Sequence, residues 1–458
     1  MTKGCYFFDV LSYFSISLLV IKEEAYKMIS WWGALIGLAL AIFLILRKLD
    51  PVYSLLLGAI VGAIIGGAGL EGTINILVKG EQSVMGTVLR VLAAGMLAGV
   101  MMDSGAAETL ARTIVNKFGD RLAIFALALA TMVITAVGVF IPVAVLIVAP
   151  IALEVGRNMH ISKLSLLVAL SGGGKAGNII SPNANTIAAA KGFGLELSQV
   201  MIADFIPAVI ALIVTVVVAR MIRKKGRAVL EQDLEDSTKT IKQSDLPTFK
   251  QAIVAPVIAI VLLLLGPIGT ICHLPLLAKV NLDATYVLPF AAIIGALAMG
   301  KGEKIKSYAQ TGVSRMTGVV MILIGAGAIG ATITASTFPE LLIDLIKTSH
   351  VPGVLLAPLS GILMAGATAS TSTGVILATG SFAKSILGFG VAPLAAAAMV
   401  HTGAIVIDQL PQGNYFHVTA NAMHMDIKER SQDIFYEFLV GGSAMLTATI
   451  LYGFLHLL

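Results

Sequence analysis

The chain has 458 residues, of which 57% are hydrophobic and only 12% charged, with 31 Lys+Arg against 26 Asp+Glu. Soluble globular proteins carry about 25% charged residues and about 45–50% apolar ones, so a mean hydropathy of +0.93 excludes a soluble enzyme, and the same low polarity excludes disorder. Two cysteines, Cys5 and Cys272, exclude a disulfide scaffold and a cysteine-rich metal site, and the net charge of +5 is what Lys/Arg-rich cytoplasmic loops give rather than a sign of a nucleic-acid partner.

Residues 1–27 differ from the rest of the chain. An apolar run leads to Lys22-Glu23-Glu24, whose codons can spell a purine-rich ribosome-binding site shortly before Met28. The expectation is that Met28 is the true start and 1–27 a translated leader. An extra N-terminal helix or a signal peptide are the alternatives, the latter without a clear small-residue cleavage site.

A transmembrane helix needs about 20 mostly apolar residues. Windows at 32–46, 52–69, 91–102, 122–153, 164–180, 200–219, 252–269, 285–299, 317–334, 351–383, 391–407 and 439–457 predict an all-α polytopic membrane protein of about 10–12 spans plus hairpins. Two windows are too long or too broken for one span. The first is interrupted at Gly138 and Pro142, the second at Gly366 and the run Thr368-Ala369-Ser370-Thr371-Ser372-Thr373. Broken backbone at membrane depth is tolerated only where it is buried in protein or lines a cavity. Residues 220–250 form the longest polar stretch, with Arg220, Arg223, Lys224, Lys225 and Arg227 at its start. Clustered Lys/Arg beside a helix end mark the cytoplasm, so 220–250 reads as a cytoplasmic linker between membrane repeats at 28–219 and 251–458.

The halves resemble each other. Leu49-Asp50-Pro51-Val52-Tyr53 aligns with Leu282-Asp283-Ala284-Thr285-Tyr286. Arg47-Lys48 precedes the first copy and reads as inside, whereas Lys279 precedes the second and reads as outside. The repeats are therefore expected to be inverted, the architecture of alternating-access secondary transporters with a site near the midplane. A channel or membrane assembly factor is the alternative from another class, and would not need two inverted polar breaks.

Two polar clusters fall at membrane depth. In 171–186, three consecutive glycines (Gly172–Gly174) and Pro182 are expected to interrupt the helix, exposing backbone groups beside Asn178, Ser181, Asn183, Asn185 and Thr186. Lys175 is the one fixed positive charge there. It reads either as counter-charge to a substrate carboxylate or as a lysine snorkelling or paired with an acid such as Asp408. Gly172-Gly173-Gly174-Lys175 lacks phosphate-loop spacing, and no hydrolase or metal-site motif occurs, so ATP binding and enzyme activity are not expected. In the second half, Ser370, Thr371, Ser372 and Thr373 suit a re-entrant tip, and Gln412 and Asn414 come shortly after the carboxylate Asp408. Asp408 is the candidate proton acceptor, with His401 as alternative or as a helix-contact histidine. A cation/proton antiporter would need a buried carboxylate pair, for which Asp103 and Asp408 are the candidates.

Ser181-Pro182-Asn183-Ala184-Asn185-Thr186-Ile187-Ala188, running on to Phe193-Gly194-Leu195-Glu196-Leu197, resembles the proline-rich loop of the gluconate permease (GntP) family, which continues into T-A-I-A-x-x-F-G-A-D-L. Trp31-Trp32-Gly33 and the 49–67 motif are similar as well, and the resemblance covers essentially 28–458. It implies a proton-coupled symporter for gluconate or a related small hydroxy-carboxylate in the bacterial inner membrane, with no cofactor. The wider ion-transporter superfamily implies two inverted repeats, each a re-entrant hairpin followed by a broken helix, with an elevator motion against a homodimeric scaffold. Sodium coupling is the variant there. Mapping puts hairpin tips at 135–142 and 368–373 and breaks at 172–185 and 401–414. Gluconate carriers have P-P-H-P-G-P where this chain has Ser181-Pro182-Asn183-Ala184-Asn185, and H-V-N-D-A-G-F-W where it has Ile407-Asp408-Gln409-Leu410-Pro411-Gln412-Gly413, so a related organic anion is a second expectation.

Overall fold

The computed structural model describes residues 29–119, 122–235, 245–271, 273–280, 282–349, 352–411 and 413–457. The expected leader at 1–27 and the candidate residue Gln412 lie outside them. Among the described residues the fold is all helical, with one isolated bridge pairing Ile29 and Ser336.

The first half contains α1 (Trp31–Leu46), α2 (Pro51–Ile65), α3 (Gly69–Asp103), α4 (Ala106–Phe118), α5 (Ala123–Ala136), α6 (Ile141–Met159), α7 (Lys163–Ile179), α8 (Ala184–Gly192), α9 (Leu197–Ala203) and α10 (Phe205–Met221). The second contains α11 (Val254–Ile271), α12 (Ala284–Ala298), α13 (Ile305–Thr334), α14 (Phe338–Ser349), α15 (Leu356–Thr368), α16 (Thr371–Gly388), α17 (Pro393–Ala404), α18 (Asn414–Ala422), α19 (Ile427–Ser431) and α20 (Asp433–Ala448), continued by a π-helical turn, Thr449–Phe454. Among the described residues, five helical stretches are long and apolar enough to cross a membrane, and α9 and α10 form a pair bent by 44° at Asp204. Several shorter apolar helices, among them α1, α2, α5 and α12, complete the set.

Helices in lipid gain nothing from burying apolar side chains against each other, so close backbone approach over small residues holds them together. The long helices α3 and α13 cross this way: a Cβ on Gly99 would lie 2.3 Å from the Tyr308 carbonyl oxygen, and one on Gly312 would lie 2.1 Å from that of Gly95. Arg90 of α3 also reaches Asp283, the N-cap of α12, at 2.6 Å. Together these contacts tie the two halves into one frame.

Four chain breaks interrupt other helices. The first hairpin turns between α5 and α6, with Gly138 at φ +103° and Pro142 in the first turn of α6, where a proline costs no hydrogen bond. The second turns at Ala369 (φ +47°), and Ser370 caps α16 by accepting from the Thr373 N–H. The α17 break runs from Ile405 to Gly413.

The remaining break corrects an expectation. Gly172–Gly174 do not unwind the chain; they lie inside α7, which continues to Ile179. A Cβ on Gly173 would meet the Ala128 carbonyl oxygen at 2.0 Å and one on Gly177 that of Met132 at 2.0 Å. The glycines let α7 seat directly on α5, a packing gain that outweighs their poor helix propensity of about 1 kcal/mol each. The chain leaves the helix at Ile180 and re-enters it at Asn183, which caps α8 by accepting from the Asn185 and Thr186 N–H groups at 2.9 and 3.2 Å.

Candidate functional site: a polar cavity between the two hairpin tips

Two breaks and two hairpin tips face one cavity of about 660 Å³. Four helices begin at its wall: α6 at Phe140–Pro142, α16 at Ser370–Thr373, α18 at Gly413–Tyr415 and α8 at Asn185. Helix N-termini carry partial positive charge and unpaired N–H groups, and α18 starts without a side-chain cap. Lys48, Asp50 and His417 also line it, beside the α1–α2 connection.

Of the residues singled out in the sequence, Asn178, Asn185, Ser370, Thr371, Ser372, Thr373, Asp408 and Asn414 line this cavity. They come from both halves and interlock: the Ser372 hydroxyl donates to Asn185 Oδ1 at 2.5 Å and that of Thr371 to Asp408. The broken helices start 230 residues apart, α7 at Lys163 and α17 at Pro393, which makes Asn178 and Asp408 positional counterparts. Asn183 and Thr186 stand behind the wall as cap and first turn of α8, and Ser181 is fully buried with its hydroxyl unpartnered.

Lys175 does not face the cavity. It is 0% exposed, and its three donors go to the Ile405 carbonyl (2.6 Å), Asp408 (2.5 Å) and Gln409 Oε1 (2.8 Å). Of the two readings of this residue, the geometry is that of the pairing with Asp408. The ammonium also lies 3.4 Å from Glu437, which Arg430 holds at 2.7 Å and to which the Tyr415 hydroxyl donates at 2.8 Å. Arg430 in turn pairs with Asp433 at 3.1 Å. The five groups are all buried: two cations, Lys175 and Arg430, against three carboxylates, Asp408, Asp433 and Glu437. Formally the cluster carries one negative charge too many, and one face of it, Asp408, is a wall of the cavity.

Reading the sequence missed Arg430, Asp433 and Glu437, although they recur at helical spacing, three and seven residues apart. It missed Asp204 too, a carboxylate four residues inside an apolar window. His401 is buried against Asp204 at 2.7 Å and does not line the cavity. Asp103, the other carboxylate weighed for antiport, pairs with Arg315 at 3.1 Å, partly exposed and outside the cavity.

Residues 29–450 match the family model of the GntP family permeases. An uncharacterized transporter of Haemophilus influenzae is 46% identical over 421 residues, spanning 92% of this chain and 97% of its own length. A high-affinity gluconate transporter of Escherichia coli is 22% identical over 77% of this chain and 81% of its own. A gluconate permease of Bacillus licheniformis is 21% identical over 75% of this chain and 82% of its own. In three dimensions the chain is similar to the crystal structure of the YdaH transporter of Alcanivorax borkumensis, with a TM-score of 0.63 at 13% identity, covering 91% of this chain and 98% of that one. That likeness concerns the fold. The chain belongs to the GntP permease family and is a multi-pass transporter of the bacterial inner membrane.

Proposed function

We propose that this permease is a proton-coupled symporter for gluconate or a related small hydroxy-carboxylate. The observation that carries the reading is the cavity itself, lined by helix N-termini and by hydroxyl and amide groups together with the Asp408 carboxylate, one face of the surplus-negative cluster. Helix starts suit a carboxylate, and Asn178, Asn185, Ser370, Thr371, Ser372, Thr373 and Asn414 suit the hydroxyls of a polyhydroxy acid. Asp408 then opposes the same ligand. Two like charges about 6 Å apart repel by about 3 kcal/mol at an effective dielectric of about 20. A proton entering the cluster removes that cost, so binding of proton and anion favour each other, which is the condition for symport. The gluconate carriers among the relatives support the choice of ligand.

In this reading 28–219 and 251–458 are inverted repeats joined by the cytoplasmic linker 220–250, and the cavity beside Lys48 and Asp50 opens inward. A homodimeric scaffold and an elevator motion belong to the same proposal. Chemical crosslinking in membranes tests the dimer. Competition for labelled gluconate uptake in proteoliposomes tests the ligand class: hydroxy-carboxylates are expected to compete and neutral polyols of equal length not to. Equal competition by the neutral polyols would sink the anion site.

A further inference from the structure

His401 and Asp204 form a second buried ionisable pair, apart from the Lys175 cluster and from the cavity wall. His401 Nδ1 lies 2.7 Å from Asp204 Oδ2, and both residues are 0% exposed. The pair joins the halves, His401 on α17 and Asp204 at the 44° bend between α9 and α10. Each partner keeps one buried atom without a hydrogen bond, Nε2 of His401 and Oδ1 of Asp204. A buried polar group left unsatisfied costs stability and calls for an explanation such as a functional role. The surrounding elements leave the pair to itself. Glu437 and Asp433 of α20 face Arg430, with Glu437 also facing Lys175; Lys384 of α16 pairs with Glu340, and Lys191 of α8 with Glu196. Helix α15 carries no ionisable side chain, and the Tyr452 hydroxyl beside the bend donates to the Ala203 carbonyl.

Resting on the symport reading, we propose that His401 and Asp204 are a second proton site of this transporter, holding one exchangeable proton that is sealed from water in the present conformation. With that proton the pair is neutral in either form, imidazolium–carboxylate or imidazole–carboxylic acid. Giving it up to water leaves one buried carboxylate against a neutral imidazole, and no other bond changes. His401 lies in the last turn of α17 and Asp408 within the break that follows it, so a rearrangement of that break alters the surroundings of both sites.

The test counts protons. Wild-type, Asp204→Asn and His401→Gln proteins are reconstituted with the membrane potential clamped to zero. The accumulation ratio of labelled gluconate is measured against the imposed pH difference, and the slope of its logarithm is the number of coupled protons. The expected slopes are about two for wild type and about one for either variant, so accumulation at one pH unit falls about tenfold. Gluconate exchange at equal pH keeps its rate. Equal slopes in wild type and variants overturn the proposal. So does exchange falling in step with accumulation, which marks a structural staple. If Asp204→Asn is not recovered folded, His401→Gln, whose amide can still donate to Asp204, carries the comparison. A wild-type slope of zero overturns proton symport itself and is distinguishable from these outcomes.

Discussion

Replacing Lys175 by methionine removes the cation that holds the cavity wall together. Its ammonium sits 2.5 Å from Asp408 and 3.4 Å from Glu437, with no exposure to water. Without it, Arg430 alone faces three carboxylates, and the cluster goes from one surplus negative charge to two. Breaking a buried pair by deleting one partner costs about 3–5 kcal/mol, because the remaining charge is buried uncompensated. Lys175→Met is expected to lose stability on that scale. Asp408→Asn brings the cluster to formal neutrality and keeps an amide beside Thr371 and Lys175, so it is expected to be as stable as wild type or more so. The double variant Lys175→Met/Asp408→Asn returns to one surplus charge and should recover at least about 2 kcal/mol of the loss, a coupling energy typical of groups in one network. Reversible unfolding in mixed detergent micelles measures all four proteins. A Lys175→Met protein as stable as wild type, or a double variant as damaged as the single one, would show that Lys175 does not hold the cluster.

The same geometry sets three further outcomes. Asp408→Asn should exchange labelled gluconate at equal pH but lose one of the two coupled protons, so that accumulation at one pH unit falls about tenfold; unchanged gradient-driven accumulation contradicts this. Asn185→Ala and Ser372→Ala break one interlocked contact of the cavity wall and should each raise the KM for gluconate by about 5–20-fold, the worth of one or two hydrogen bonds, with little change in stability. Gly177→Val places side-chain atoms where a Cβ already lies 2.0 Å from a backbone oxygen of α5, and should prevent recovery of folded protein from the membrane fraction, with no effect expected of Gly442→Ala, where the space is open.

The helical breaks were legible because proline, glycine and runs of short polar residues have local consequences. Gly138 with Pro142 and Thr368–Thr373 mark the two hairpins by themselves. Gly172–Gly174 misled because local propensity does not know what lies opposite: against the α5 backbone, a glycine is what allows the helix to pack. The cavity-facing residues were legible as polar groups in apolar sequence. Their division into wall and support was not, since Lys175 and Asn178 stand three residues apart on one helix yet Asn178 lines the cavity and Lys175 turns to Asp408. The charge cluster was hidden for a different reason. Arg430, Asp433 and Glu437 lie just before an apolar window and read as ordinary charges at a membrane surface; the packing of α20 on α7 and α17 buries the two carboxylates, and Arg430 of α19 turns in against them and over the Phe416 ring. Asp204 sat in plain view inside an apolar window, and its partner is 197 residues away.

Symport requires that the anion and a proton enter together. Wild-type protein in proteoliposomes, given labelled gluconate and an inside-alkaline pH gradient without sodium, measures it directly. Accumulation above equilibrium is expected, abolished by a protonophore and not produced by a sodium gradient at equal pH. Accumulation driven by sodium alone, or uptake that never exceeds equilibrium under the pH gradient, would contradict proton symport.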